Sequence, residues 1–189
     1  EILSGLVGSE MCIRDRKDTI HRYDLVILQL EIPMEINELV AEYACASHVP
    51  VMLNPAPSAR LSPTLLSRLT YLSPNEHEAA DLTGFPIKKS GKTADPESTR
   101  ATVNALLAAG AKNVVLTLGS AGAAAADREH FYSQPCVDVI EVKDPTAAGD
   151  SFVGAFSTGV CMGMDMEQAL TFATVSYTHL RAHETREDL

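Results

Sequence analysis

Nine residues, Asp144-Pro-Thr-Ala-Ala-Gly-Asp-Ser-Phe152, have the makings of an anion site. Ala147, Ala148 and Gly149 carry little or no side chain. Their backbone N–H groups can therefore close on an anion where a helix begins and its dipole favours negative charge. Such a cradle could act as an anion hole for a transferring phosphoryl group, with Asp150 beside it to take a proton from an attacking hydroxyl. The same residues also fit an aspartate cap over a tight turn. Two further groups have suggestive spacing. Asn75-Glu-His-Glu78 places a carboxylate three residues after an N-cap amide, which is the capping-box pattern. Thr117-Leu118-Gly119-Ser120-Ala121-Gly122 has two glycines that would let a ligand approach the backbone, or would simply turn the chain into a hairpin.

These residues need elements to hold them. Asp24–Leu30 and Val51–Asn54 are short apolar runs suited to buried strands, the second stopped by Pro55 and Pro57. Between them, Ile36, Leu39, Val40, Tyr43 and Ala44 recur at helical spacing within Glu35–Ser47. Ser62-Pro63 opens a short helix to Leu69, Tyr71–Ser73 is a brief strand, and Asn75–Leu82 is a helix ended by Gly84. Residues Lys88–Pro96 read as a polar loop before a helix over Glu97–Ala109. Asn113–Thr117 is a strand, Ala123–Ala126 and His130–Ser133 form a hairpin, and Cys136–Val142 alternates like a strand. A helix over Ala148–Met162 and another from Met166 complete the chain. Strands alternating with helices imply a mostly parallel sheet covered on both faces, with ligands at the carboxyl ends of its strands.

Composition narrows the function. A formal charge of −10 without a basic patch argues against nucleic acid as a partner. No apolar run of about 18 residues predicts a membrane span. Cys12, Cys45, Cys136 and Cys161 lack zinc spacing and fit reduced thiols in a cytoplasmic protein. His21, His48, His77 and His130 have no metal-ligand or triad context, and Met162, Met164 and Met166 suit gap filling.

The two ends read differently from the middle. Residues 6–15 and 175–185 correspond to translations of one DNA element on its two strands, which resembles a transposon-derived sequencing adaptor. The expected organisation is therefore an adaptor-like segment at 1–16, one folded domain at 17–173 and a second adaptor-like segment at 174–189. On that reading the i,i+4 pair His179 and His183 has no metal role.

Taken in order, the motifs of the middle stretch resemble the ribokinase family of carbohydrate kinases. Leu28-Gln-Leu-Glu31-Ile-Pro33, Asn54-Pro-Ala-Pro57, Asn75/Glu78 and Thr117–Gly122 precede a loop that follows the family's second signature, although Pro145 stands where Thr is common. The resemblance implies a three-layer α/β/α fold, here without the N-terminal lid portion and the final helices. It implies ATP-dependent phosphorylation of a sugar hydroxyl, with D-ribose giving ribose 5-phosphate as the first candidate. Other acceptors (deoxyribose, ketodeoxygluconate) and a non-catalytic nucleotide- or sugar-binding regulator are the alternatives.

Asp150 would be the general base, with Ala147, Ala148 and Gly149 as the anion hole. Asn75, Thr117, Leu118, Gly119, Ser120, Ala121, Gly122, Gly149 and Asp150 would bind ATP. Glu31 and Asp150 would contact the sugar. Glu78 would serve Mg²⁺ through water, and Asp144 and Thr146 a monovalent cation such as K⁺. The expected partners are ATP and a sugar, with dimerisation through the lid, and the chain as it stands is expected to be inactive.

Overall fold

The computed structural model describes residues 17–136 and 148–183, with side chains as far as Ser176. A 3-10 turn at Lys17–Arg22 leads into strand β1, Val26–Gln29. Helix α1, Met34–Ala46, and strand β2, Val51–Asn54, follow. Helix α2, Pro63–Arg68, starts where Ser62 accepts a hydrogen bond from the Leu65 amide and Pro63 pre-sets the first turn. Strand β3, Tyr71–Leu72, precedes helix α3, Glu76–Thr83, which stops at Gly84 in the left-handed conformation, φ 76°.

Lys88–Pro96, expected as loop, instead contains a two-stranded ribbon, β4 at Lys89–Ser90 and β5 at Thr93–Ala94. Its strands are two residues long and polar except for Ala94, so no alternation marks them. Helix α4, Pro96–Ala108, is capped by Asp95, whose side chain accepts from the Ser98 amide. Strand β6, Asn113–Thr117, and the hairpin β7, Ala123–Ala126, with β8, Phe131–Gln134, come next. Helices α5, Ala148–Cys161, and α6, Met166–His183, end the described chain. The strand expected over Cys136–Val142 falls outside the described residues from position 137 onwards.

The main sheet has the order β1-β2-β3-β6-β7-β8. The first four strands are parallel, in registers that pair Val26 with Val51, Met52 with Tyr71 and Tyr71 with Asn113. The last two strands run antiparallel, as expected of the hairpin. Strand alternation then sends neighbouring residues to opposite faces. Leu53, Leu72, Val114 and Leu116 pack with Ala41, Leu65, Val103 and Leu106 on one side. Met52, Val115 and Ala125 pack with Phe152, Phe156 and Leu170 on the other. Helices thus cover both faces, giving the α/β/α layering anticipated from the sequence.

Candidate active site at the strand ends

Each of the four parallel strands carries an apolar run that stops at its last residue or the one beyond. There it places a polar side chain: Gln29 on β1, Asn54 on β2, Ser73 just after β3 and Thr117 on β6. Parallel pairing makes Gln29 and Asn54 direct register partners, with Ser73 one step past the Leu53–Leu72 pair and Thr117 two residues further along, level with Asn75. The Thr117 amide donates to the Pro74 carbonyl at 3.1 Å, and Asn75 forms an isolated parallel bridge with Thr117. A cleft of about 220 Å³ opens here, lined among others by Asn54, Ser73, Asn75, Glu78, Thr117 and Asp150. It lies at the carboxyl edge of the parallel strands, where open α/β sheets bind ligands.

Helix α3 enters the cleft through a complete capping box. The Asn75 side-chain oxygen accepts from the His77 and Glu78 amides, both at 2.9 Å. In return Glu78 accepts from the Asn75 amide at 2.8 Å and from its side-chain amide at 2.7 Å. Glu78 is buried, and that burial pushes its carboxyl above the ordinary value of 4.5, against the opposing pull of the Asn75 hydrogen bond.

Helix α5 enters from the other side. Gly149 and Asp150 line the cleft, Ala148 is buried, and the Asp150 Oδ1 accepts from the Gln29 side chain at 3.0 Å. Gln29 is steadied in turn, because the buried Asn37 on α1 donates to its carbonyl at 3.1 Å. The remaining members of the expected phosphate loop, Asp144, Thr146 and Ala147, lie outside the described residues.

The segment Thr117–Gly122 forms a compact turn between β6 and β7. The Leu118 amide donates to the Gly122 carbonyl at 2.8 Å, and the Leu118 carbonyl accepts from the Ala121 amide at 3.1 Å. Gly122 has φ 97°, and a Cβ there would run into the Gln134 carbonyl and sit 2.7 Å from the Cys136 nitrogen. Glycine is required at this position by both backbone angle and space. Of the turn, Thr117 alone lines the cleft, while Leu118 and Ala121 border a separate cavity beside Phe131 and Arg100. Glu31 is exposed beyond the end of β1 and is not among the cleft-lining residues.

Sequence reading assigned no role to Gln29, Asn54 or Ser73. A usable signal was present, since each is the polar residue that terminates an apolar strand run. The Ser73 hydroxyl is buried and has no hydrogen-bond partner among the described residues, so the cleft retains unused polar capacity. That capacity bears on a bound cation. Among the described residues no group of three or more His, Cys, Asp or Glu could hold a metal. An ion at this cleft would therefore share oxygens of a bound phosphate and water with Glu78 and its neighbours. Hard divalent cations accept such a mixed oxygen shell.

Comparison with known proteins decides the family. The description "pfkB family carbohydrate kinase" matches residues 17–187. The chain belongs to the pfkB family of carbohydrate kinases. Within the pfkB family it is 38% identical over 164 residues to a ribokinase of Schizosaccharomyces pombe, covering 85% of this chain and 50% of that protein. A ribokinase of Haemophilus influenzae is 35% identical over 166 residues, with 87% and 51% covered. A deoxyribokinase of Salmonella typhimurium is 30% identical over 166 residues, with 85% and 52% covered.

The fold superposes on an Arabidopsis thaliana ribokinase complexed with ribose and ATP, with TM-score 0.79 and 32% identity over 87% of this chain and 51% of that one. A Thermotoga maritima ribokinase gives TM-score 0.72 at 28% identity, with 86% and 51% covered. The chain spans about half the length of the curated relatives it matches. Among the described residues no helix is long and apolar enough to cross a membrane.

Proposed function

We propose that the full-length protein transfers the γ-phosphoryl group of ATP to a sugar hydroxyl, with D-ribose as the acceptor and ribose 5-phosphate as the product. The observation that carries this reading is Asp150. It is an acid in the first turn of α5, at the cleft, with its carboxylate engaged by Gln29 from β1. The ribokinase relatives and the solved ribokinase in complex with ribose and ATP support the choice of substrates.

In the proposed reaction Asp150 takes the proton of the acceptor hydroxyl as its oxygen attacks the γ-phosphorus, and ADP departs. Backbone N–H groups of Ala147, Ala148 and Gly149 would meet the charge on the phosphoryl oxygens. Asn75 and Thr117, with Leu118 through Gly122, would hold the nucleotide, and Glu31 would bind a sugar hydroxyl. Mg²⁺, held by way of water near Glu78, would supply neutralisation of phosphate charge. Asp144 and the Thr146 carbonyl would take K⁺. Cytoplasmic location and dimerisation through a lid complete the proposal.

The test is phosphoryl transfer by the full-length protein, read as ADP release with ribose and with deoxyribose. Asp150→Asn should lower kcat by about 10²–10⁴-fold while nucleotide binding persists. Deoxyribose outrunning ribose would move the acceptor, and unchanged kcat in Asp150→Asn would remove the base.

A further inference from the structure

The ribbon β4–β5 is the part of the fold that the polar sequence concealed, and it reaches the nucleotide turn. From β4, the Lys89 ammonium donates to the Leu118 carbonyl at 2.7 Å. It is also ion-paired with Glu76, which immediately follows the Asn75 cap of α3. A Cβ built at Gly119 would lie 3.6 Å from the same nitrogen. One side chain thus connects the start of α3 with the turn after β6, the two segments that flank Thr117. The Leu118 carbonyl accepts two bonds, one from within the turn and one from Lys89.

The turn is anchored in the core by Leu118, which is buried, and by Ala121 packed against the same cluster. Leu118 and Ala121 border a cavity of about 440 Å³ shared with Thr93, Ala94, Arg100 and Phe131. Core packing holds the Leu118 side chain, and the charge-assisted hydrogen bond from Lys89 to its carbonyl fixes the direction of the backbone at the edge of that open volume.

We infer that Lys89 is a positioning residue for the nucleotide, holding the Leu118–Gly122 turn in register with the Asn75 end of α3. The inference rests on the reading of Thr117–Gly122 as the nucleotide segment. Lys89 acts through the turn, so its loss weakens ATP binding and leaves the acceptor hydroxyl and Asp150 alone. Arginine can reach both partners with its own donors and should restore much of the function, whereas methionine keeps the stem and removes the charge.

The experiment compares full-length wild type, Lys89→Met and Lys89→Arg by steady-state kinetics and by calorimetric titration with ATP. Lys89→Met should raise KM for ATP about tenfold, the effect of one lost hydrogen bond to a charged group. Its kcat and its KM for the sugar should stay within about twofold, with Lys89→Arg lying near wild type. Three results would overturn the inference: an unchanged KM for ATP in Lys89→Met, an equal rise in KM for both substrates, or no recovery in Lys89→Arg. If wild type binds ATP without turning over, the kinase reading fails. The titration then judges Lys89 by whether Kd for ATP rises in Lys89→Met and recovers in Lys89→Arg. If wild type binds no ATP, both readings fall.

Discussion

Helices α3 and α5 both begin at the cleft, yet their first turns are used differently. In α3 the amide and carboxylate of Asn75 and Glu78 serve each other and the helix's own backbone. In α5 the first-turn acid, Asp150, is engaged by Gln29 on β1, across the cleft from α3. A carboxylate closed into a capping box is fixed and partly neutralised by local hydrogen bonds, which suits holding something in place. A carboxylate held through one oxygen by a neighbouring strand, with no second partner among the described residues, is oriented in a way that suits proton transfer. In the proposed reaction, residues of one type would thus be set to two tasks by what surrounds them.

Substitutions can break this contrast. The largest effect should come from Asp150→Asn, where kcat falls by about 10²–10⁴-fold and the thermal midpoint holds. Asn75→Ala should instead fall mainly on stability, with KM for ATP rising because Asn75 also holds the nucleotide in the proposed reaction. It removes the cap and strips the buried Glu78 of a side-chain donor, costing about 2 kcal/mol in urea unfolding. Gln29→Ala, which frees Asp150 to rotate, should lower kcat about tenfold with little change in stability. If Gln29→Ala instead destabilised the fold as much as Asn75→Ala, the contrast between the two helix starts would be lost.

The smallest effect concerns pH. Burial raises the Glu78 carboxyl above 4.5, so the unfolded chain gives up this proton before the folded one does. Between 4.5 and the raised folded value the native state binds more protons, and stability falls as pH rises through that interval. Glu78→Gln should flatten the dependence, seen in denaturation midpoints measured from pH 4.5 upward.

Much of the positioning scaffold could be read from residue types. Asn113–Thr117 is a strand with the expected bounds, and Asn75, Glu78 and Gly84 mark the start and stop of α3 because caps and left-handed glycines are local chemistry. The β4–β5 ribbon could not be read in this way, since Lys89-Ser90-Gly-Lys-Thr93 gives no apolar alternation and its stability comes from partners distant in sequence. Lys89 was missed for the same reason, whereas Gln29 and Ser73 did carry a local signal, each ending an apolar strand run. Each acquires meaning when the sheet order brings its strand or turn beside another. Within the phosphate loop, Gly149 and Asp150 are found at the cleft, and the roles of Asp144, Thr146 and Ala147 stay with the proposed reaction.

Strand β7 has a consequence of a different kind. Its four residues, Ala123–Ala126, are all buried, and it continues directly from the Leu118–Gly122 turn. Alanine has no side-chain rotamers to lose. The strand that follows the turn is therefore ordered on folding without fixing any side-chain rotamer. On the proposed nucleotide reading, β7 adds no rotamer cost when the turn is occupied, which shifts the entropy of binding toward the ligand and toward Lys89, the long flexible side chain that ties the turn to α3.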